Sequence, residues 1–440
     1  MERLNSCVVK LWGLNVGLLE WNESQGFATF RYYKEFLEKG YKISPLKLPL
    51  EERTFFFPDL RINRNPNKEY SDTFCGLPGV FADSLPERYG NHLMKSFLER
   101  QNLEFEDLNP IERLCYVGKR GMGALEYEPA VDLISNKEEK VFVDELLETA
   151  RNILSETENK AENAQDDKLL DQLIEIGTSA GGAKAKALIA LKKKDGKITN
   201  IYSGQASPRE DLSYWILKFS DTKNDEHHSD KYTGALEYAY YLMAKECGIL
   251  MMDSDVLKDS SGVAHFMTKR FDRVKGTKIH MATFCGIAHQ DRNPPGQVGY
   301  EKLFATMREL HLSFEEIQEV YRRMVFNVLS RNQDDHTKNH SFLMFPDGTW
   351  SLSPAYDLCF SYKRNHKFIG SQQMSVNGKR DDFTMSDLLE CASHADITKA
   401  KAKKIIEQVQ DGISKWNDCA NRAELPEQNA LAVQSCFRTI

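Results

Sequence analysis

Residues 330 to 342 read SRNQDDHTKNHSF, a polar stretch wedged between a long amphipathic run and a short hydrophobic one. Polar residues between two periodic segments ordinarily form a solvated connection, so this stretch acquires meaning only from its flanks. Before it, LSFEEIQEVYRRMVFNVLS carries apolar side chains at helical spacing (Phe314, Ile317, Val320, Tyr321, Met324, Val325 and Val328), with Ser313 and Glu316 placed as a capping box. After it, HSFLMFPDGTWSLSPAYDL reads as strand, PDG turn and strand, with Asp357 just past the second strand. The stretch therefore joins a helix to a hairpin, and the hairpin turns Asp357 back toward it.

That return gives the spacing a chemical reading. Asp334 and Asn339 stand as D-x-x-x-x-N, and Asp357 follows beyond a hairpin. A phosphotransferase needs one carboxylate to orient or deprotonate a hydroxyl, then an amide oxygen and a second carboxylate to hold magnesium across phosphates. Asn339 and Asp357 supply hard oxygen ligands, and magnesium commonly takes only one or two carboxylates. The pattern alone is weak, since chance matches are frequent among so many acidic residues. The helix, loop and hairpin around it strengthen it.

A second segment supplies the other half of such a site. TSAGGAKAKA, residues 178 to 187, offers consecutive small residues whose amides can approach phosphate oxygens, and it precedes a β-prone run. It is not a Walker loop, because G-x-x-x-x-G-K-[ST] does not occur in the chain. A plain tight turn is the bland alternative. Lys218 lies inside the apolar strand YWILKF, where a charge needs a reason. Pairing with nucleotide phosphates is one reason, and an edge-strand lysine reaching out to water is the other.

Composition bounds these readings. With 440 residues, 41% hydrophobic and 28% charged, the chain is long enough for two or three cores. No run has the length and apolarity of a membrane span, and MERLNSCVVKLWG lacks a basic flank leading into a sustained apolar core. A cytoplasmic protein with no membrane association is expected. Nine cysteines, with no C-x-x-C pair, suit a reducing compartment and small core positions. A net charge of −7 disfavours bulk electrostatic binding of nucleic acid, and KAKAKKII at 399 to 406 reads as one solvated helix face.

Along the chain, residues 8 to 130 mix short apolar runs with turn residues, a small mixed α/β domain. Residues 135 to 173 turn strongly charged and read as two helices with a soluble junction. A hairpin around KKKDGK, the strand YWILKF, the helix GALEYAYYLMAKECGI and two strands about a DSSG turn come next. The second half is mostly helical. Segregated strands and helices argue for an α+β architecture of two lobes with a cleft.

In these motifs the chain resembles the HipA-type toxins, serine/threonine kinases of bacterial type II toxin–antitoxin systems. The resemblance rests on DDHTKN with SPAYDL, on TSAGGAKAKALI, on KRFDR, and on ADSLPERYGN and ERLCYVGKRGMGAL nearer the N-terminus, all in the family's order. It implies a bilobal protein-kinase-like fold: an N-terminal HipA-type domain over 1–134, a β-rich N-lobe over 135–271 and a helical C-lobe over 272–440. It implies ATP and Mg2+ as cofactors, with Asp334 catalytic and Asn339 and Asp357 as metal ligands. Ser179, Ala180, Gly181, Gly182, Ala183, Lys184 and Lys186 fall on the family's nucleotide loop, with Ser179, or its neighbour Thr178, as the autophosphorylated residue. Lys218 matches the ATP-contacting strand lysine. Lys269, Arg270 and Phe271 match the segment whose backbone contacts adenine, although Lys269 departs from the glutamate of the family's best-known member. His336, Lys338, Asn339 and Tyr356 fall on runs near the phosphates and metal.

The implied partners are a HipB-like helix-turn-helix antitoxin, DNA only through that antitoxin, a protein substrate of the aminoacyl-tRNA synthetase kind, and a dimer within the antitoxin complex. DDH also departs from the DGH of the family's best-known member, and the five-residue offset to Asn339 selects Asp334 while leaving Asp335 exposed to solvent. Two alternatives stay open. One is an ATP-binding corepressor that transfers no phosphate. The other is a metal-dependent phosphohydrolase built on Asp334, Asp335, His336 and His340, for which no further ligands are evident.

Overall fold

The computed structural model describes residues 3–63, 65, 68–70, 72–130, 145–146, 177, 182, 184–195, 197–205, 209–220, 224–225 and 228–440. The two helices expected within 135–173 lie outside the described residues. Three antiparallel sheets organise the rest. The first is five-stranded and N-terminal, with Ser6–Leu11 between Leu14–Asn22 and Leu125–Glu128, and with Phe27–Tyr32 and Thr54–Phe56 continuing outward from Leu14–Asn22. The second runs Ser254–Lys258, Ala264–Lys269, Ser213–Lys218, Lys186–Lys194, Lys197–Ser203. The expected KKKDGK hairpin and DSSG turn are its two ends. A third, three-stranded sheet pairs His280–Thr283 with Ser341–Met344 and that strand with Trp350–Leu352, which is the hairpin after the polar stretch.

Helices then dominate, as the segregated pattern predicts. Phe314–Leu329 is capped by Ser313 and Glu316, each side chain bonding the other's backbone N–H. Its apolar stripe is buried, including Ile317, Val320, Tyr321, Met324, Val325 and Val328. Lys399–Ser414 turns Lys401, Lys403 and Lys404 to solvent and Ile405 and Ile406 inward, so the basic run is a solvated face. Among the described residues no helix is long and apolar enough to cross a membrane. All nine cysteines are free, six of them buried, in keeping with a role as small core residues.

Two features place the cleft. First, the helix Arg88–Glu99 buries Tyr89, Leu93, Met94 and Phe97 in a core shared with Ala187, Ile189, Trp215, Leu217 and Met267. A helix from the N-terminal part thereby forms one layer over the second sheet. Second, the short helices Gly79–Ala82 and Phe284–Ala288 meet so closely that a Cβ on Gly79 would lie 2.3 Å from the Gly286 carbonyl oxygen. Only glycine fits there.

Between strand and helix halves runs Lys269–Arg273, stitched by buried charges. Asp272, fully buried, accepts from Arg270 Nε and Nη2 (both 2.8 Å), from Arg273 Nη1 (2.9 Å) and from the Gly123 amide (2.7 Å). Burial opposes its charge, but the two guanidiniums hold the carboxyl well below the usual carboxylate range. Asp272→Ala strands two buried arginines without a counter-charge, and should cost about 3–5 kcal/mol in urea unfolding. A loss under about 1 kcal/mol would show that the arginines find other partners.

Candidate active site

The polar stretch is not a solvated loop. Ser330, Asn332, Gln333, Asp335 and Thr337 are all buried. The helix ends where Ser330 donates both its N–H and its hydroxyl to the Phe326 carbonyl, at 2.8 and 2.7 Å. Arg331 then takes a left-handed backbone, φ 59°, and turns the chain inward. Inside, Asn332 donates to Asn327 Oδ1 at 2.9 Å and accepts from Gln372 Nε2 at 3.0 Å. Most buried polar groups are bonded, and these bonds fix the loop's path, with Asn332 Oδ1 left unbonded among the described residues.

The two aspartates of the loop face different surroundings. Asp334 is half-buried and accepts from the Gln373 side-chain amide. Burial raises its pKa, the nearby His336 offsets part of that, and the charge of Asp357 adds to the rise. Asn339 donates from Nδ2 to the Asp334 carbonyl at 2.7 Å, which ties both ends of D-x-x-x-x-N together. Asp335, expected at the surface, is instead buried. Its carboxylate accepts from the Tyr300 hydroxyl (2.9 Å) and the Gln373 amide (2.8 Å), and burial pushes its pKa up to about 7. Neighbouring side chains point apart, so drawing Asp335 into the core is what leaves Asp334 facing the cleft.

Lys218 is the centre of the site. It lies on the middle strand of the second sheet, not on an edge, and its ammonium donates to Glu237 and, at 2.6 Å, to Asp357. Glu237 comes from the helix Thr233–Glu246 and has only 4% of its side chain exposed. Burial works against the Lys218 charge, but Asp357 and Glu237 outweigh it and hold the ammonium above its ordinary value. Asp357 is held well below the carboxylate range by Lys218 first, with Lys186 behind it, against the effect of burial. It keeps 46% of its side-chain surface open and stands on a left-handed backbone of φ 57°. A non-glycine residue held there is the kind of outlier that clusters at functional sites.

Lys186 faces Lys218 across the strand pair and is buried, its pKa lowered to about 8 by burial and then by Lys218. Its ammonium lies 2.5 Å from where a Cβ on Gly182 would be, and Gly182 has φ 104°, so that position is restricted to glycine. Lys184 is exposed. Ser179, Ala180, Gly181 and Ala183, and Thr178, lie outside the described residues. In the Lys269–Phe271 segment the amides of Lys269 and Arg270 already donate to the carbonyls of Asp253 (2.9 Å) and Tyr214 (2.8 Å). The Phe271 ring lies 5.7 Å from that of Tyr356, whose hydroxyl donates to the Lys338 carbonyl at 2.6 Å.

Around the turn Thr337–Asn339, His336 has its pKa lowered by burial, and Lys338 donates to Glu87 at 2.8 Å. Burial opposes the Lys338 charge, but Glu87 more than compensates and raises its pKa. His340 packs its ring 5.5 Å from Tyr300, is buried and has its pKa lowered to about 3 by that burial. His340 and Asp335 both lie against Tyr300 inside the core. Among the described residues no three His, Cys, Asp or Glu side chains gather to hold a metal.

Glu237, Gln373, Tyr300 and Glu87 were not singled out in the sequence. Glu237 left a signal: in TGALEYAYYLMAKE it falls on the same face as Gly234, Tyr240 and Ala244, all buried, and a carboxylate in an apolar stripe requires a cation. Gln373, 39 residues from Asp334 in an irregular segment, left none.

The chain matches two family models, the HipA N-terminal domain over residues 7–128 and the HipA-like C-terminal domain over 178–416. A 158-residue stretch is 30% identical to a protein of Sinorhizobium fredii named "Putative kinase Y4dM", covering 33% of this chain and 36% of that one, so the match spans just over a third of the relative's length. Among solved structures, a chain of the Shewanella oneidensis MR-1 toxin–antitoxin complex of HipA, HipB and operator DNA superposes with a TM-score of 0.61 at 15% identity, over 98% of this chain and 94% of that one. That likeness shows the fold. The Helicobacter pylori proinflammatory kinase CtkA is more distant, with a TM-score of 0.31 at 12% identity over 55% of this chain and 97% of its own, too slight a likeness to bear on function.

The charged bonds to Lys218 are open to measurement. Glu237→Ala removes one of two carboxylates from a lysine whose side chain is 14% exposed. Urea unfolding should show a loss of about 1.5–3 kcal/mol, the range for hydrogen bonds to charged groups. A change within about 0.5 kcal/mol would mean that Asp357 alone satisfies the ammonium.

Proposed function

The chain belongs to the HipA-like family, its two domain models matched in order, and from that premise we propose that it is a magnesium- and ATP-dependent serine/threonine protein kinase acting as a growth-arresting toxin. The observation that carries the reading is Lys218 held between Glu237 and Asp357, beside the loop that bears Asp334 and Asn339. A strand lysine paired with a helix glutamate and set near a metal-binding aspartate is the arrangement kinases need in place before they transfer phosphate. In this reading residues 1–134 are the N-terminal domain, 135–271 the nucleotide lobe and 272–440 the helical lobe.

The donor set fits the cofactors. Asn339 points Nδ2 at the Asp334 carbonyl, which commits its amide oxygen to the other side, and Asp357 uses Oδ1 for Lys218 and keeps Oδ2. Both are hard oxygens suited to magnesium. Bound Mg-ATP supplies the transferable phosphoryl group and the cation that offsets its charge. Lys218 and Lys186 add positive charge at the floor of the cleft. Asp334, its carboxylate steadied by Gln373, aligns the substrate hydroxyl and takes its proton. The amides of Lys269 and Arg270 are spent within the sheet, so adenine recognition at this segment falls to its carbonyls and to Phe271.

The same reading gives the chain a helix-turn-helix antitoxin as partner, by analogy with the HipA–HipB–operator complex of Shewanella oneidensis. DNA is then reached through the antitoxin, which agrees with a net charge of −7. Within such a complex the chain would sit as a dimer, and its substrate would be a protein, with aminoacyl-tRNA synthetases the first candidates by family resemblance and no residue here specifying one.

Two measurements test this. Asp334→Asn keeps the side chain's shape but cannot accept a proton, so phosphoryl transfer should fall by about 10²-fold or more while Mg-ATP still stabilises the fold. Full transfer by that variant removes Asp334 from the mechanism, and Mg-ATP binding without transfer by the unmodified chain overturns the kinase reading in favour of a corepressor.

Ser179 should also become phosphorylated by the protein itself. The phosphate would add about −1.5 to −2 charges to a stretch meant to approach another phosphate, and activity should fall with it. Intact-mass and peptide analysis after incubation with Mg-ATP should place one phosphate on Ser179. An active enzyme with Ser179 unmodified, or a modified one with undiminished activity, excludes the switch.

A further inference from the structure

Glu87 stands at the start of the helix Arg88–Glu99, on extended backbone, in the part of the chain matched by the N-terminal family model. Its carboxylate is engaged from two directions. Oε2 accepts from the Gly182 amide at 2.7 Å, while Oε1 accepts from Lys338 Nζ at 2.8 Å and lies 3.5 Å from Arg292 Nη1. Two residues on, the Tyr89 amide donates to the Gly182 carbonyl at 3.3 Å. Both backbone polar groups of Gly182 are thus held by the first residues of one helix.

The arrangement is rigid where it has to be. Glu87, Lys338 and Arg292 expose only 16%, 13% and 25% of their side chains, so these charged bonds are partly shielded from solvent screening. Burial opposes the Glu87 charge, yet Lys338 and Arg292 hold its pKa well below the carboxylate range. The helix is anchored on the second sheet through Tyr89, Leu93, Met94 and Phe97. Gly182 belongs to the glycine-rich stretch, and Lys338 precedes Asn339 in the polar loop.

We propose that Glu87 is a positioning residue of the kinase, which fixes Gly182 of the glycine-rich stretch against Lys338 of the catalytic loop, so that the N-terminal domain completes the cleft. The inference rests on the kinase reading for its consequence in catalysis and on geometry alone for the tether. Glu87 touches no reacting atom. It acts by bringing a backbone amide from one side of the cleft and a lysine from the other onto one rigid carboxylate. Glycine-rich backbone left to itself samples many conformations, and holding it by both polar groups removes that freedom before nucleotide arrives.

The test uses the full chain with Glu87→Ala and Glu87→Gln, and reads KM for ATP, kcat and deuterium uptake of the peptides that contain Gly182 and Asn339. Glu87→Ala should raise KM for ATP about tenfold, the scale of a misplaced binding group, with kcat changed less than KM. Uptake at both peptides should rise while uptake across Phe314–Leu329 stays as it was. Glu87→Gln, which keeps an acceptor for the Gly182 amide but loses the charge for Lys338, should fall between the two and serves if the alanine variant does not fold. Unchanged KM with unchanged uptake overturns the proposal, and so does a lower KM, which would mark the carboxylate as an obstacle to phosphate. If the unmodified chain transfers no phosphate, the kinase reading fails on its own. Faster exchange at Gly182 in the variants would then retain the tether, and unaltered exchange would remove it.

Discussion

The fold is organised around one ammonium group in the middle of a sheet. Lys218 is flanked by strands on both sides, Ala264–Lys269 and Lys186–Lys194, and has no edge to reach past. A cation placed there must be neutralised from other layers. Glu237 arrives from a helix behind the sheet and Asp357 from the turn after the hairpin Ser341–Leu352. Each is an anchor as well as a charge: the first sets the helix Thr233–Glu246 on the sheet, and the second holds the end of the hairpin in a left-handed backbone. The cleft between the halves is where these two layers converge on Lys218.

The N-terminal part of the chain closes that cleft from a third side. Asp83 accepts from the Thr283 amide and hydroxyl at 2.7 and 2.8 Å, and burial raises its pKa to about 6. Asp272 binds Gly123 as well as its two arginines, and Arg273 reaches the carbonyls of Gly121 and Gly123 at 3.1 and 2.9 Å. Polar seams of this kind specify one geometry, since a shift of either partner strands buried charge. The N-terminal part of the chain is therefore joined to the remainder by directional bonds as well as by apolar packing.

What the sequence made readable was whatever local chemistry encodes. The capping box of Ser313 and Glu316 and the hairpin around the PDG turn are short-range signals, and the structure places both elements as read. Strand order is not local, so Lys218 could be taken for an edge lysine, whereas it is central. Asp335 was expected at the surface because a polar run between periodic segments is ordinarily solvated. Its acceptors were already spoken for by Tyr300 and by Gln373, 35 and 38 residues away. The Glu87 to Lys338 contact spans 251 residues, and no periodicity reports a bond of that range.

Two aspartates in one cleft have been driven in opposite directions, and that separation supports the roles proposed for them. Asp357 is bonded to Lys218 and near Lys186, so it stays ionised whatever burial costs it. Among the described residues no cation is bonded to the Asp334 carboxylate, and burial together with the charge of Asp357 raises its pKa. An ionised carboxylate locked to a lysine is a poor proton acceptor and a good metal ligand, while a carboxylate with raised pKa has the greater appetite for a proton. Exchanging their roles would require Asp357 to give up Lys218, and the lysine would then be left to Glu237 alone. Asp335 could not substitute for either, because Tyr300 and Gln373 hold its carboxylate inside the core. The proposed roles of Asp334 as base and Asp357 as ligand thus draw their support from where Lys218 sits.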